Sequence, residues 1–125
     1  MGSFSETVRN QFLNAVARNS PFSYAGMWVK LHVGDPGAAG ASNPATNSTR
    51  QQATFGTAPS GGALSNTATI SWSSVPATET YTYASLWSAS SGGTFLGSDD
   101  LSSVAPVQSG DNFQIAAGDL DLSFV

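Results

Sequence analysis

The chain has 125 residues, 10% of them charged, with a net charge of −4 and a pI near 4.4. That length is one domain, long enough to bury roughly two thirds of its unfolded surface without a disulfide or metal staple. Four scattered basic residues exclude a nucleic-acid footprint, the lack of Cys excludes thiolate metal sites and redox roles, and no run approaches the ~20 apolar residues of a membrane span. Soluble domains usually carry ~25% charge; here Gly, Ser, Thr, Ala and Asn fill the gap, a polar but uncharged surface suited to permanent packing in an assembly. Met1 to Glu6 has neither a basic nor an apolar region of the secretory kind, so no signal peptide is expected, and Glu6 stands where a myristoylation signal needs Ser or Thr.

Residues 4 to 18 are predicted to form the one helix. Phe4, Val8, Phe12 and Val16 recur every four residues with Leu13 beside them, Ser3 and Glu6 have capping-box spacing, and Asn19-Ser20-Pro21 ends the run. The stripe either packs at home or docks on a neighbour, which makes Phe4, Val8, Phe12 and Val16 candidate interface residues. The chain divides into an N-terminal amphipathic helix, residues 1–20, and a β-sandwich domain, residues 21–125.

Met27, Val29, Leu31 and Val33 alternate with Trp28, Lys30 and His32, a half-buried strand stopped by Gly34-Asp35-Pro36-Gly37. His32, on the polar face, is expected at the surface or an edge. Residues 38 to 48 have almost nothing to bury and are expected to be mobile in the isolated chain and ordered against a neighbour, with Asn43 and Asn47 as candidate interface residues. Further strand-like runs cover Thr49 to Phe55 and Ala63 to Trp72. Beyond them lie Tyr81 to Trp87, Thr94 to Gly97, Leu101 to Val107, Asn112 to Ile115 and Leu120 to Phe124, each closed by turn residues. Seven to nine short strands of this kind make a mainly β fold, a single antiparallel β-sandwich with one N-terminal α-helix. Its expected core is Met27, Val29, Leu31, Val33, Ile70, Leu86, Phe113, Ile115, Leu120 and Leu122.

Four segments in order carry a family resemblance. Leu31 to Gly37 followed by Arg50-Gln51 resembles an "L-x-T-x-D-P-G…R-Q" opening. Gly61 to Asn66 is similar to "G-G-x-x-S-N". Ala84 to Gly93 is similar to "G-L-[FW]-x-A-x-x-G-G", with Ser85 where Gly is common. Ser109 to Gly118 is similar to "S-G-D-x-F-x-I-x-A-G". From about residue 26 onward the chain thus resembles the small tailed-phage tail-fibre or minor tail protein family, although it has no fibrous shaft, collagen-like repeat or heptads. The resemblance implies a non-enzymatic bacteriophage virion structural protein on the particle exterior, assembled in the host cytoplasm. Its implied partners are major capsid or tail proteins and further copies of itself, a trimer being expected, with no nucleic acid and no membrane. A capsid decoration protein and a host-glycan-binding module are the alternatives.

The residues themselves offer no reaction chemistry. His32 is the lone histidine, no Ser has a nucleophile-elbow context, and Asp99, Asp100, Asp119 and Asp121 lack the spacing of a calcium loop. Glu79 with one of these aspartates has no sequence support as a glycosidase pair. No catalytic residue, metal ligand or cofactor is expected. Tyr81 and Tyr83, on one strand face, are the aromatic candidates for an exposed interface or glycan platform.

Overall fold

The computed structural model describes residues 3–56 and 63–123. In chain order these form β1 (Ser3–Phe4), α1 (Glu6–Arg18), β2 (Met27–His32), β3 (Gln51–Ala53), β4 (Ala63–Ser65), β5 (Ile70–Trp72), β6 (Glu79–Trp87), β7 (Phe95–Val107), β8 (Phe113–Ile115) and β9 (Asp121–Ser123). The fold is mainly β with antiparallel pairing throughout: a five-stranded sheet in the order β1-β7-β6-β2-β3, and two-stranded ladders β4-β9 and β5-β8. The Phe113 ring of β8 lies 5.0 Å from Tyr81 of β6 and 5.7 Å from Trp72 of β5, so the β5-β8 ladder covers one face of the large sheet in a sandwich-like arrangement.

The alternation of β2 puts Val29 and Leu31 into the core with Ala84 and Leu86 of β6. Eight of the ten expected core residues are buried. Met27 is only half-buried, and Val33 is 41% exposed because β2 ends at His32 and the chain bends there. The run from Ala63 to Trp72 splits in two at Asn66. That buried side chain donates to the Ala68 and Ala116 carbonyls and accepts from the Gly118 and Leu120 amides, cross-linking β4–β5 to β8–β9. The separate runs at Thr94 and Leu101 are one long strand, β7, paired with β6 along its length.

Helix α1 begins two residues later than its apolar spacing suggests. Ser5, extended at φ −65°, ψ 161°, is the N-cap and its Oγ accepts from the Val8 amide, while Ser3–Phe4 pair with Ser98 and Gly97 as a strand. The capping-box reading of Ser3 and Glu6 therefore fails: the sheet edge claims the backbone of residues 3–4, and the Ser5 amide donates to the Leu96 carbonyl. Asn19 closes the helix in the left-handed basin at φ 51°, a turn that Asn tolerates. Val8 is buried, and Phe12 makes edge contacts with Phe4 (5.6 Å) and Phe22 (5.0 Å).

The segment expected to be mobile is held by its own domain. Val33 and Ala45 amides donate to the Asn43 and Leu31 carbonyls, Pro44 bridges to His32, and the Ser42 amide donates to Pro36. A sequence of small polar residues carries little to bury, yet its amides find partners along β2, and Ala45 and Asn47 are buried. At Gly40, φ +73°, a Cβ would stand 2.4 Å from the Phe95 ring, so only glycine lets the segment lie this close to β7.

Candidate functional site

Residues 33–50 form a strap over the polar face of the large sheet, and what lies beneath it departs most from expectation. His32, expected at the surface, is 0% exposed, and so is Ser85 on β6, two residues along from Tyr83, the cross-strand partner of His32. The His32 Nδ1 is 2.8 Å from the Ser42 carbonyl, which can only accept, so Nδ1 carries the hydrogen and Nε2 is the acceptor. Ser85 Oγ, 2.7 Å away, donates to Nε2, and the Trp87 indole N–H donates to Ser85 Oγ at 2.8 Å. Arg50, at the end of the strap, stacks 4.3 Å over Trp87 and donates to the Ala89 and Gly92 carbonyls of the β6–β7 hairpin. Burial holds the imidazole below its ordinary range against the opposing pull of the Ser42 carbonyl, and Lys30 adds to the fall. This Ser–His pair has nucleophile-and-base spacing, and both of its residues are fully buried beneath the strap. Every polar atom in it is committed to closing the strap, because a buried orphan would be costly.

Glu79 closes the other end. Its two carboxylate oxygens accept from the Thr46 and Asn47 amides at 2.9 and 3.2 Å. It is a backbone clamp on the strap. Burial pushes the Tyr81 phenol up, with Asn47 and Glu79 facing its hydroxyl. Asp99, 4% exposed, is pushed up to about 6 by burial, partly offset by the Asp121 amide that donates to its Oδ2 at 3.3 Å. Asp121 also accepts from Ser65 Oγ. Among the described residues no three His, Asp or Glu side chains converge into a cation-sized cluster.

The eight candidate interface residues separate. Val8, Asn47 and Tyr81 are turned into the chain's own interior. Tyr81 was expected beside Tyr83 on one face, but the β6–β7 register slips between them: Tyr81 pairs with Ala105 and Tyr83 with Asp100. Such a bulge turns one of the two rings inward, and Tyr81 reaches the core while Tyr83 is half-buried. Phe4 and Phe12 are half-buried against each other, and Asn43 is exposed in the strap. Val16 is 86% exposed and Leu13 66%. Val16, the last member of the expected stripe, and Leu13 beside it thus face outward, and with Ala17 they form an outer apolar stripe on α1 at i, i+3, i+4 spacing.

A groove of about 370 Å³ runs between the Thr46–Thr49 segment with Gln51 on one wall and the Trp72–Ser74 turn with Pro76 on the other. Its residues come from separate parts of the chain, so no motif announces it. The Trp72 indole N–H donates to the Thr49 carbonyl at 2.9 Å and ties the walls together.

A family model described as Podophage GP4 fiber I protein gp80 matches residues 3–123. No curated protein matches the chain.

Proposed function

Starting from the chain's membership in the podophage GP4 fiber I protein gp80 family, which makes it a phage fibre protein of the virion, we propose that it is a non-enzymatic structural component of the fibre on the particle exterior. The match over nearly the whole chain carries this reading. It rests on that span rather than on a single turn motif, and it includes the helix that the sequence motifs left out. The Ser–His pair, sealed at 0% exposure beneath the strap, supports the absence of chemistry. The outer stripe of α1 and the low surface charge support permanent association with tail or capsid proteins and with further copies of the chain, a trimer being the expected state. The protein would assemble in the host cytoplasm and remain in the virion, without nucleic acid or membrane contact. Capsid decoration is the competing placement.

Quantitative mass spectrometry of purified virions, with antibody labelling in electron micrographs, tests this. Low copy number with label on the fibres is expected. One copy per capsid lattice point, with label over the head, would transfer the protein to the decoration reading. Sedimentation of the isolated chain tests the trimer, and a monomer at high concentration would remove it.

A further inference from the structure

The strap over the large sheet is held almost wholly by hydrogen bonds. Of its residues only Pro36, Gly40, Ala45 and Asn47 are buried, and Ala45 alone joins the hydrophobic core. Its attachments are the Ala45 amide on the Leu31 carbonyl, the Thr46 and Asn47 amides on Glu79, and the Ser42 carbonyl on His32. Lifting such a segment exposes little apolar surface, so it opens at a lower cost than the core whose burial it barely shares.

The histidine beneath it cannot take a proton comfortably while the cover is shut. Its Nδ1 already donates to the Ser42 carbonyl, so an added proton must go to Nε2, 2.7 Å from Ser85 Oγ. That hydroxyl already accepts from the Trp87 indole. With Nε2 protonated, Ser85 Oγ would face two donors and its own hydrogen would lose its acceptor. The imidazolium itself would stand 0% exposed, and among the described residues neither ring nitrogen bonds a carboxylate. The charged and titratable groups around it are Lys30 on its own strand, Tyr83 opposite on β6, and Asp100, which pairs with Tyr83 from β7. Asp35, Arg50 and Glu79 complete the set along the strap and at its clamp. Lys30 opposes the added charge.

Opening the strap removes these penalties together, because water reaches Nε2 and the ring becomes an ordinary histidine. The closed and open forms therefore differ in their affinity for one proton, which is the condition for a proton to shift the balance between them. The closed form binds it less well, so closure is fully favoured above pH 6.5 and weakens below that value. The open fraction rises by up to about tenfold per pH unit until the closed ring itself titrates.

We infer that the 33–50 strap is an acid-released cover: protonation of His32 lifts it from the sheet, leaves the sandwich folded, and exposes the polar face around Ser85 and Tyr83. The device belongs to the isolated chain and stands independently of where the protein sits in the virion.

Amide hydrogen exchange of the full 15N-labelled chain, followed by NMR from about pH 7.5 to about pH 5, tests it. The lower limit stays above the pI near 4.4. Protection factors divide out the intrinsic effect of pH on exchange. At Ala45, Thr46 and Asn47 they should fall about tenfold below pH 6.5, while amides of the β2–β6 ladder keep theirs. The His32 ring nitrogens should report the Nδ1–H tautomer at the upper end and an imidazolium that appears as strap protection is lost. His32→Gln should abolish the pH dependence. Asp99 titrates in the same window but pairs with Ala84 on the core face, so Asp99→Asn should leave the dependence unchanged. Strap protection that ignores pH would overturn the proposal. So would core protection falling in step with the strap, which is global unfolding, or an imidazolium beneath a strap that stays protected. A dependence that survives His32→Gln, or vanishes in Asp99→Asn, would pass the response to another group and equally overturn it. Should His32→Gln fail to fold, the ring titration in the unaltered chain decides.

Discussion

Ser85→Ala removes one oxygen from the middle of the relay under the strap. The hydroxyl donates to His32 Nε2 and accepts from Trp87 Nε1, so two groups lose their partner at once. His32 is 0% exposed and cannot recruit water, so its ring nitrogen bears the full cost of a buried orphan, about 1–3 kcal/mol. Trp87 is only half-buried and can reach solvent, which holds its share to about 1 kcal/mol. The sum is about 2–4 kcal/mol. With ~2.1 cal/mol/K of unfolding entropy per residue over 125 residues, each kcal/mol moves Tm by about 4 °C, so a fall of about 8–15 °C is expected in scanning calorimetry. A double-mutant cycle isolates the cause. In a His32→Phe background the same Ser85→Ala change should cost at least about 1 kcal/mol less, because the orphan acceptor is gone. A fall of under about 3 °C, or full additivity in the cycle, would refute the assignment of the tautomer and the relay.

Glu79→Gln keeps the shape but leaves one acceptor oxygen for two amides; a loss of about 1–3 kcal/mol is expected, with faster hydrogen exchange at Thr46 and Asn47, and unchanged exchange there would contradict the clamp. His32 has a lowered pKa, so the unfolded chain takes the proton first as pH falls through 6.5; stability should be lost on acidification below that value, and His32→Gln should remove that slope from a Tm–pH series. Asp99 acts oppositely. Its pKa, raised from 3.8 to about 6, means the folded state holds the proton longer, so relative to Asp99→Asn the native chain should gain stability as pH falls from about 6 toward 4; parallel curves for the two proteins would show the carboxyl to be unburied. Phe12→Asp puts a carboxylate among Phe4 and Phe22 and should cost several kcal/mol, whereas Val16→Asp, at 86% exposure, should leave folding within about 0.5 kcal/mol and reduce self-association or virion incorporation. Normal incorporation of Val16→Asp would remove the outer stripe as a docking face.

Local chemistry determined most of the element list, though not strand β1, the break at Asn66 or the continuity of β7. The apolar spacing of α1, the period-2 alternation of β2 and the glycine-rich turns after Trp87, Val107 and Ile115 each act over a few residues, and a sequence displays such short-range terms directly. The same turn chemistry carried the resemblance to phage fibre proteins. Ser85, where that family's pattern commonly has Gly, proved to be the residue whose hydroxyl joins His32 to Trp87.

What covers each face was decided only in three dimensions. His32 reads as a polar-face residue because alternation reports which side of a strand a residue occupies, and nothing in it reports that residues 33–50 return over that side and bury it. Tyr81 reads as a partner of Tyr83 until the register slip against β7 turns it into the core. Ser3 loses the helix cap to Ser5 because the edge of β7 offers its backbone a better partner. The strap itself is held by Glu79, more than thirty residues away, and by bonds from backbone amides, which every residue type possesses alike. Bonds of that kind leave no mark in side-chain composition, so the segment with the least to bury became the one that seals the sheet.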